Sequence, residues 1–180
     1  MVVSTTGAVT TNDGVTLRYI EAGAGDPVVM VHGFGGSAAS FDAQNDGWSH
    51  RHRVIALDMR GHGVSEKPEH GFRVARLAAD LRDVLEALDL TKVTLLGHSM
   101  GCVVIWNFLD LFDDRRISRL VLVDQPPVML RNPTWSKDET KLFGGLFGPD
   151  ELAGVVGNLA EHGGAALEGL IGTMLTDQCP

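Results

Sequence analysis

Short apolar runs alternate with amphipathic stretches along most of this chain. Val28-Val29-Met30-Val31, Arg53-Val54-Ile55-Ala56-Leu57, Val93-Thr94-Leu95-Leu96 and Arg119-Leu120-Val121-Leu122-Val123 have the length and β-branched content of strands covered on both faces. Ahead of them, Val15, Leu17 and Tyr19 alternate with Thr16, Arg18 and Ile20, the period of a half-buried strand. Asn12-Asp13-Gly14 separates that strand from Val9-Thr10-Thr11, and Asp-Gly between β-formers predicts a hairpin. From Phe72 to Leu88 the apolar positions Val74, Leu77, Leu81, Val84 and Leu88 fall on one helix face, which leaves Arg76, Asp80, Arg82, Asp83 and Glu86 to the wet side. Cys102 to Leu109 predicts a second helix. Strands and helices that alternate from 27 to 124 predict an α/β fold, a mostly parallel sheet with flanking helices led by an antiparallel hairpin.

The rhythm breaks after residue 130. Asn132-Pro133 punctuates the chain before a helix start near Trp135-Ser136-Lys137-Asp138-Glu139. Leu142 to Pro149 is apolar and glycine-rich, and Glu151–Leu159 and Ala165–Leu175 read as short helices. The expected organisation is a core over 1–130 and a helical cap or lid over 131–180. Trp135, Phe143, Leu146 and Phe147 hint at an apolar pocket.

Three strand ends run into loops of polar residues and glycines, where open α/β sheets place ligands. The first is His32-Gly33-Phe34-Gly35-Gly36-Ser37, in which His32 reads as a brace for the loop rather than as a base. The second, Asp58-Met59-Arg60-Gly61-His62-Gly63-Val64-Ser65, holds Asp58 and Arg60 as loop pins, with binding of an anionic substrate as the alternative, and His62 as a strut rather than a catalytic base. His50 and His52 read as part of a solvated stretch. The third is Gly97-His98-Ser99-Met100-Gly101, between a predicted strand and a predicted helix. G-x-S-x-G in that context is a nucleophile elbow. A tight strand-to-helix turn crowds its neighbours, and Gly97 and Gly101 carry no Cβ to clash. Ser99 then stands at the N-terminus of a helix whose amides and dipole favour an oxyanion.

Net charge narrows the choice. At −8, the 180-residue chain lacks the clustered basic face of a nucleic-acid binder. No run of eighteen apolar residues predicts a membrane span, and no basic and apolar leader predicts a signal peptide. Cys102 and Cys179 are too few for a disulfide framework, and Cys102 reads as a packing residue. A cytoplasmic setting is expected. No His/Cys cluster has metal-ligand spacing, and the loop after His32 lacks the dinucleotide fingerprint. Neither metal nor cofactor is expected.

Taken together, the loops beginning at His32 and Asp58, the Gly97–Gly101 pentapeptide and Leu122-Val123-Asp124-Gln125-Pro126-Pro127 resemble the α/β-hydrolase fold superfamily over roughly residues 8 to 130. The similarity is to its small esterases, lactonases and non-haem haloperoxidase-like hydrolases. The resemblance implies Ser99 as nucleophile and the backbone N–H groups of Phe34 and Met100 as the oxyanion hole. It implies an acid and a His placed after two further core strands, and these strands and residues are not found within the 180. His162, in Glu161-His162-Gly163-Gly164, is not expected to be the base, and Asp124 is either an alternative acid or a turn cap. The implied function is hydrolysis of a carboxylic ester or lactone of a fairly apolar small molecule. Haloalkane dehalogenase and epoxide hydrolase chemistry is disfavoured, because those relatives carry Asp where Ser99 stands. The alternatives are a non-catalytic binding module or inactive fragment on the same fold, and perhydrolase or haloperoxidase-like activity. The bare sheet edge also predicts self-association, or pairing with a chain that supplies the missing strands.

Overall fold

The computed structural model describes residues 3–112, 115–126, 128–145, 147–163 and 165. The chain divides into two compact units, Met1–Gln125 and Pro126–Pro180. The first unit holds a six-stranded sheet in the order β1-β2-β4-β3-β5-β6. β1 (Thr5–Thr10) and β2 (Thr16–Ala22) form the expected hairpin, with Thr10 opposite Thr16, and β2 pairs antiparallel with β4. β4 (Arg53–Asp58), β3 (Pro27–Val31), β5 (Val93–His98) and β6 (Ile117–Val123) run parallel.

Strand alternation sorts the apolar runs into two cores. Val29, Val31, Ile55 and Leu95 face α2 (Val74–Ala87) and α3 (Met100–Phe112), packing with Leu81, Leu85, Ile105 and Phe108. Val28, Met30, Val54, Ala56 and Leu96 face the other way, onto Ala38 and Phe41 of a 3₁₀ turn that leads into α1 (Asp42–Trp48). Period-2 alternation in a sheet with helices on both faces makes both halves of each run apolar.

Three sequence expectations change. β6 is not a buried strand: Leu120 to Val123 are each 40–44% exposed. Among the described residues no strand pairs with its outer side, and the burial of a strand depends on neighbours that no residue of the run encodes. Asp80 is not on the wet side of α2. It is buried and accepts from the wholly buried Arg60 through Nε and Nη2, both at 2.6 Å, and from Arg76 Nε at 3.0 Å. His52 is half-buried rather than solvated, and its Nδ1 is buried without a hydrogen-bond partner among the described residues.

Arg60 also reaches the hairpin tip, where Nη2 donates to both oxygens of Asp13 at 3.0 Å. Burial raises the Asp13 carboxyl; the Thr11 hydroxyl and then Arg60 more than offset this and hold it at about 2. One ionic network therefore ties the hairpin, the loop after β4 and α2 together.

In the second unit, α4 (Lys137–Phe143) begins with a capping box: Ser136 Oγ accepts from Glu139 N–H, and Glu139 accepts from Ser136 N–H. The Trp135 and Phe143 rings pack at a 40° tilt with centroids 5.1 Å apart, and Leu130 forms an isolated bridge with Phe147. α5 (Pro149–His162) is secured near its start by the Arg131–Glu151 ion pair. His162 closes that helix, with Nδ1 near Asn158 O. Apart from Ala165, the helix expected over 165–175 falls outside the described residues, as do Leu146 and Cys179. Among the described residues no helix is long and apolar enough to cross a membrane.

Candidate active site

Ser99 sits between β5 and α3 with φ 49°, a left-handed conformation that a non-glycine residue holds only where the surroundings impose it. The surroundings are visible. Ser99 N–H donates to Val123 O at 2.9 Å, and Ser99 O accepts from Cys102 N–H at 2.8 Å. A Cβ on Gly97 would lie 2.7 Å from Cys102 N, and one on Gly101 would lie 2.1 Å from Val31 O. Both glycines are thus required by close approach. Cys102 is buried, with Sγ 3.1 Å from Gly97 O, and burial pushes its thiol pKa up, which suits a packing role.

The loop after β3 arrives beside this turn. A Cβ on Gly33 would meet Ser99 Cβ at 3.1 Å and His98 Nδ1 at 3.2 Å. Gly36 N–H donates to Gly33 O at 3.1 Å, and Gly35 has φ 72°, so residues 33–36 form a turn of type II character with Phe34 at its second position. Among the described residues the Phe34 N–H has no acceptor. Met100 is the first residue of α3, where N–H groups lack an intrahelical acceptor. The two amides expected to act together therefore flank the loop and turn that meet at Gly33 and Ser99.

The remaining expected residues fall around them. His32 is wholly buried, with Nδ1 2.7 Å from Gly33 O, as a loop brace should be. His62 is a strut: its Nδ1 lies 3.0 Å from Arg60 O, and its ring sits 5.0 Å from that of His32. The Asp58 carboxylate accepts from Ala38 N–H at 2.6 Å and Val64 N–H at 2.9 Å, joining the loops after β3 and β4. Asp124 has φ 55° and an 85% exposed side chain whose Oδ2 is 3.9 Å from His98 Nε2, too long for a direct hydrogen bond. Among the described residues, none hydrogen-bonds the Ser99 hydroxyl, and no cluster of three His, Cys, Asp or Glu side chains is placed to hold a metal ion.

A cavity of about 280 Å³ adjoins the site, lined chiefly by Phe34, Ser40, Phe41, Gln44, His98 and Val123. Sequence reasoning missed Ser40, Gln44 and His98. His98 stood inside the recognised pentapeptide. Ser40 and Gln44 gave no signal, because Asp42-Ala43-Gln44-Asn45-Asp46-Gly47-Trp48 has no apolar period to mark it as a helix.

Residues 26–165 match a family model described as alpha/beta hydrolase fold. The chain belongs to the α/β hydrolase family. Within it, 132 residues are 40% identical to a non-heme chloroperoxidase of Streptomyces lividans, covering 71% of this chain and 48% of that protein. An epoxide hydrolase of Caenorhabditis elegans is 34% identical over 116 residues, 62% of this chain and 32% of that one. Among solved structures, an esterase from Exiguobacterium antarcticum superposes with TM-score 0.80 at 27% identity, covering 91% of this chain and 59% of that one. This α/β hydrolase chain spans about half the length, or less, of these curated relatives.

Proposed function

We propose that this α/β hydrolase chain carries the nucleophile of a serine hydrolase acting on carboxylic esters or lactones of small, fairly apolar molecules. The observation that carries the reading is Ser99 at φ 49° between β5 and α3, packed against Gly33 of the loop that bears Phe34. Ser99 Oγ attacks the carbonyl carbon, and its proton passes to a base. The carbonyl oxygen becomes an oxyanion, which the Phe34 and Met100 N–H groups bind. Such a donor is worth roughly 2.7–4 kcal/mol to the transition state. Collapse expels the alcohol, and water then resolves the acyl-enzyme. The proton acceptor in this proposal lies outside the described residues. The apolar Phe34, Phe41 and Val123 beside Ser40, Gln44 and His98 suit a small acyl group with limited polarity. The reaction requires no cofactor.

A fluorophosphonate probe followed by intact-mass and peptide analysis tests the reading. A single adduct on Ser99, lost in Ser99→Ala, is expected. A folded protein that labels elsewhere or not at all would shift the assignment to a binding module. Similarity to a chloroperoxidase supports one second reading, perhydrolase chemistry at the same serine. An ester panel with and without peroxide and a carboxylic acid separates the two.

A further inference from the structure

His32 makes two hydrogen bonds that fix its protonation. Its Nδ1 faces the carbonyl of Gly33 at 2.7 Å and must donate; its Nε2 receives the Met59 N–H at 3.2 Å and must accept. Only the neutral imidazole with hydrogen on Nδ1 does both. The Gly33 carbonyl that takes this bond also closes the 33–36 turn by accepting from Gly36 N–H at 3.1 Å. We propose that neutral His32 is a positioning residue, a latch that joins the 33–36 turn, through the Gly33 carbonyl, to the Met59 amide after β4 and so aims the Phe34 N–H, and that protonating Nε2 breaks the latch on its Met59 side while the Nδ1–H bond to Gly33 stays. The proposal rests on the serine hydrolase reading only for its catalytic consequence.

A proton on Nε2 would set one N–H against another. Met59 N–H and the new imidazolium N–H would then compete for space with no acceptor between them, in a wholly buried site. The groups that face His32 are Asp58 at the end of β4, His62 from the loop after it and His98 from the end of β5. The Asp58 carboxylate is already committed to two backbone amides. Burial, with smaller contributions from His62 and His98, holds the His32 pKa below its usual value, against the Gly33 bond and Asp58. The neutral latch is therefore closed at neutral pH and opens on the acid side.

The test is long-range ¹H–¹⁵N NMR of the labelled full chain across pH 4 to 8, with the rate of fluorophosphonate labelling measured in parallel. At pH 8 His32 is expected as the Nδ1–H tautomer, and the Phe34, Gly36 and Met59 amide signals are expected to shift with the same midpoint as its ring. An Nε2–H tautomer, or a Phe34 amide indifferent to the His32 titration, would overturn the latch. Two variants divide its bonds. His32→Asn keeps a donor where Nδ1 stands, and His32→Gln keeps an acceptor where Nε2 stands. His32→Asn lacks the Met59 acceptor and mimics the open latch, so its Ser99 should label at least tenfold more slowly than that of His32→Gln at pH 8 and lose the acid limb of the wild-type profile; equal rates would count against the latch. If either variant fails to fold, the wild-type titration decides. A wild type whose amides track His32 while Ser99 never labels would retain the latch and remove the hydrolase reading.

Discussion

Asp80→Asn should be among the most damaging single-atom changes in the first unit. Arg60 is wholly buried, and its Nη1 already has no partner among the described residues. Asp80 gives it two bonds of 2.6 Å, and Asp13, whose side chain is 26% exposed, gives two of 3.0 Å. The substitution removes the closer, better-buried charge and turns an amide NH₂ towards one guanidinium N–H. Breaking a buried pair from one side costs about 3–5 kcal/mol. Asp13 remains, which places the expected loss at the lower end, about 3 kcal/mol. For a chain of this size that corresponds to a fall in Tm of roughly 6–12 °C. In urea, with a slope of about 2 kcal/mol/M, the midpoint should drop by roughly 1.5 M. The assay is urea unfolding followed by circular dichroism, with Glu86→Gln as a control. Glu86 pairs with Arg82 at 2.7 Å on the exposed face of α2, and its loss should cost under about 0.5 kcal/mol. A loss below about 1 kcal/mol for Asp80→Asn would refute the reasoning, because it would mean that Arg60 finds water or another anion and is not held by this network.

Two further outcomes follow from the same geometry. Gly101→Ala should lower stability by about 1–3 kcal/mol and reduce probe labelling of Ser99, since its Cβ would lie 2.1 Å from the Val31 carbonyl; unaltered unfolding and labelling would show that the turn can relax. We also propose that the β6 edge, with Leu120 to Val123 exposed and β5 as its neighbour in the sheet, makes the chain self-associate. Leu122→Lys should shift sedimentation towards monomer with little change in unfolding midpoint, and a wild type that is monomeric at high concentration would count against the proposal.

Local patterns carried the parts of this protein that depend on neighbours in the chain. The apolar runs, the 3-and-4 spacing of α2, the Asp-Gly hairpin and the strand–G-x-S-x-G–helix sequence each place their own residues. The parallel sheet and the turn around Ser99 were therefore legible. Asp80 was misread because its partner Arg60 lies twenty residues earlier, and a polar residue on a polar stripe looks solvated until the loop that covers it is in place. β6 was misread for the converse reason. Its five-residue run from Arg119 to Val123 matches an interior strand, yet exposure is a property of what lies beside a strand. His98, Ser40 and Gln44 come to one cavity wall from three elements, and His32 owes its tautomer to a carbonyl next door and an amide 27 residues away. Backbone conformation is encoded over a few residues, so sequence alone determined it. Burial, charge pairing and proton placement are set by atoms that only folding brings together, and the tertiary structure alone decided them.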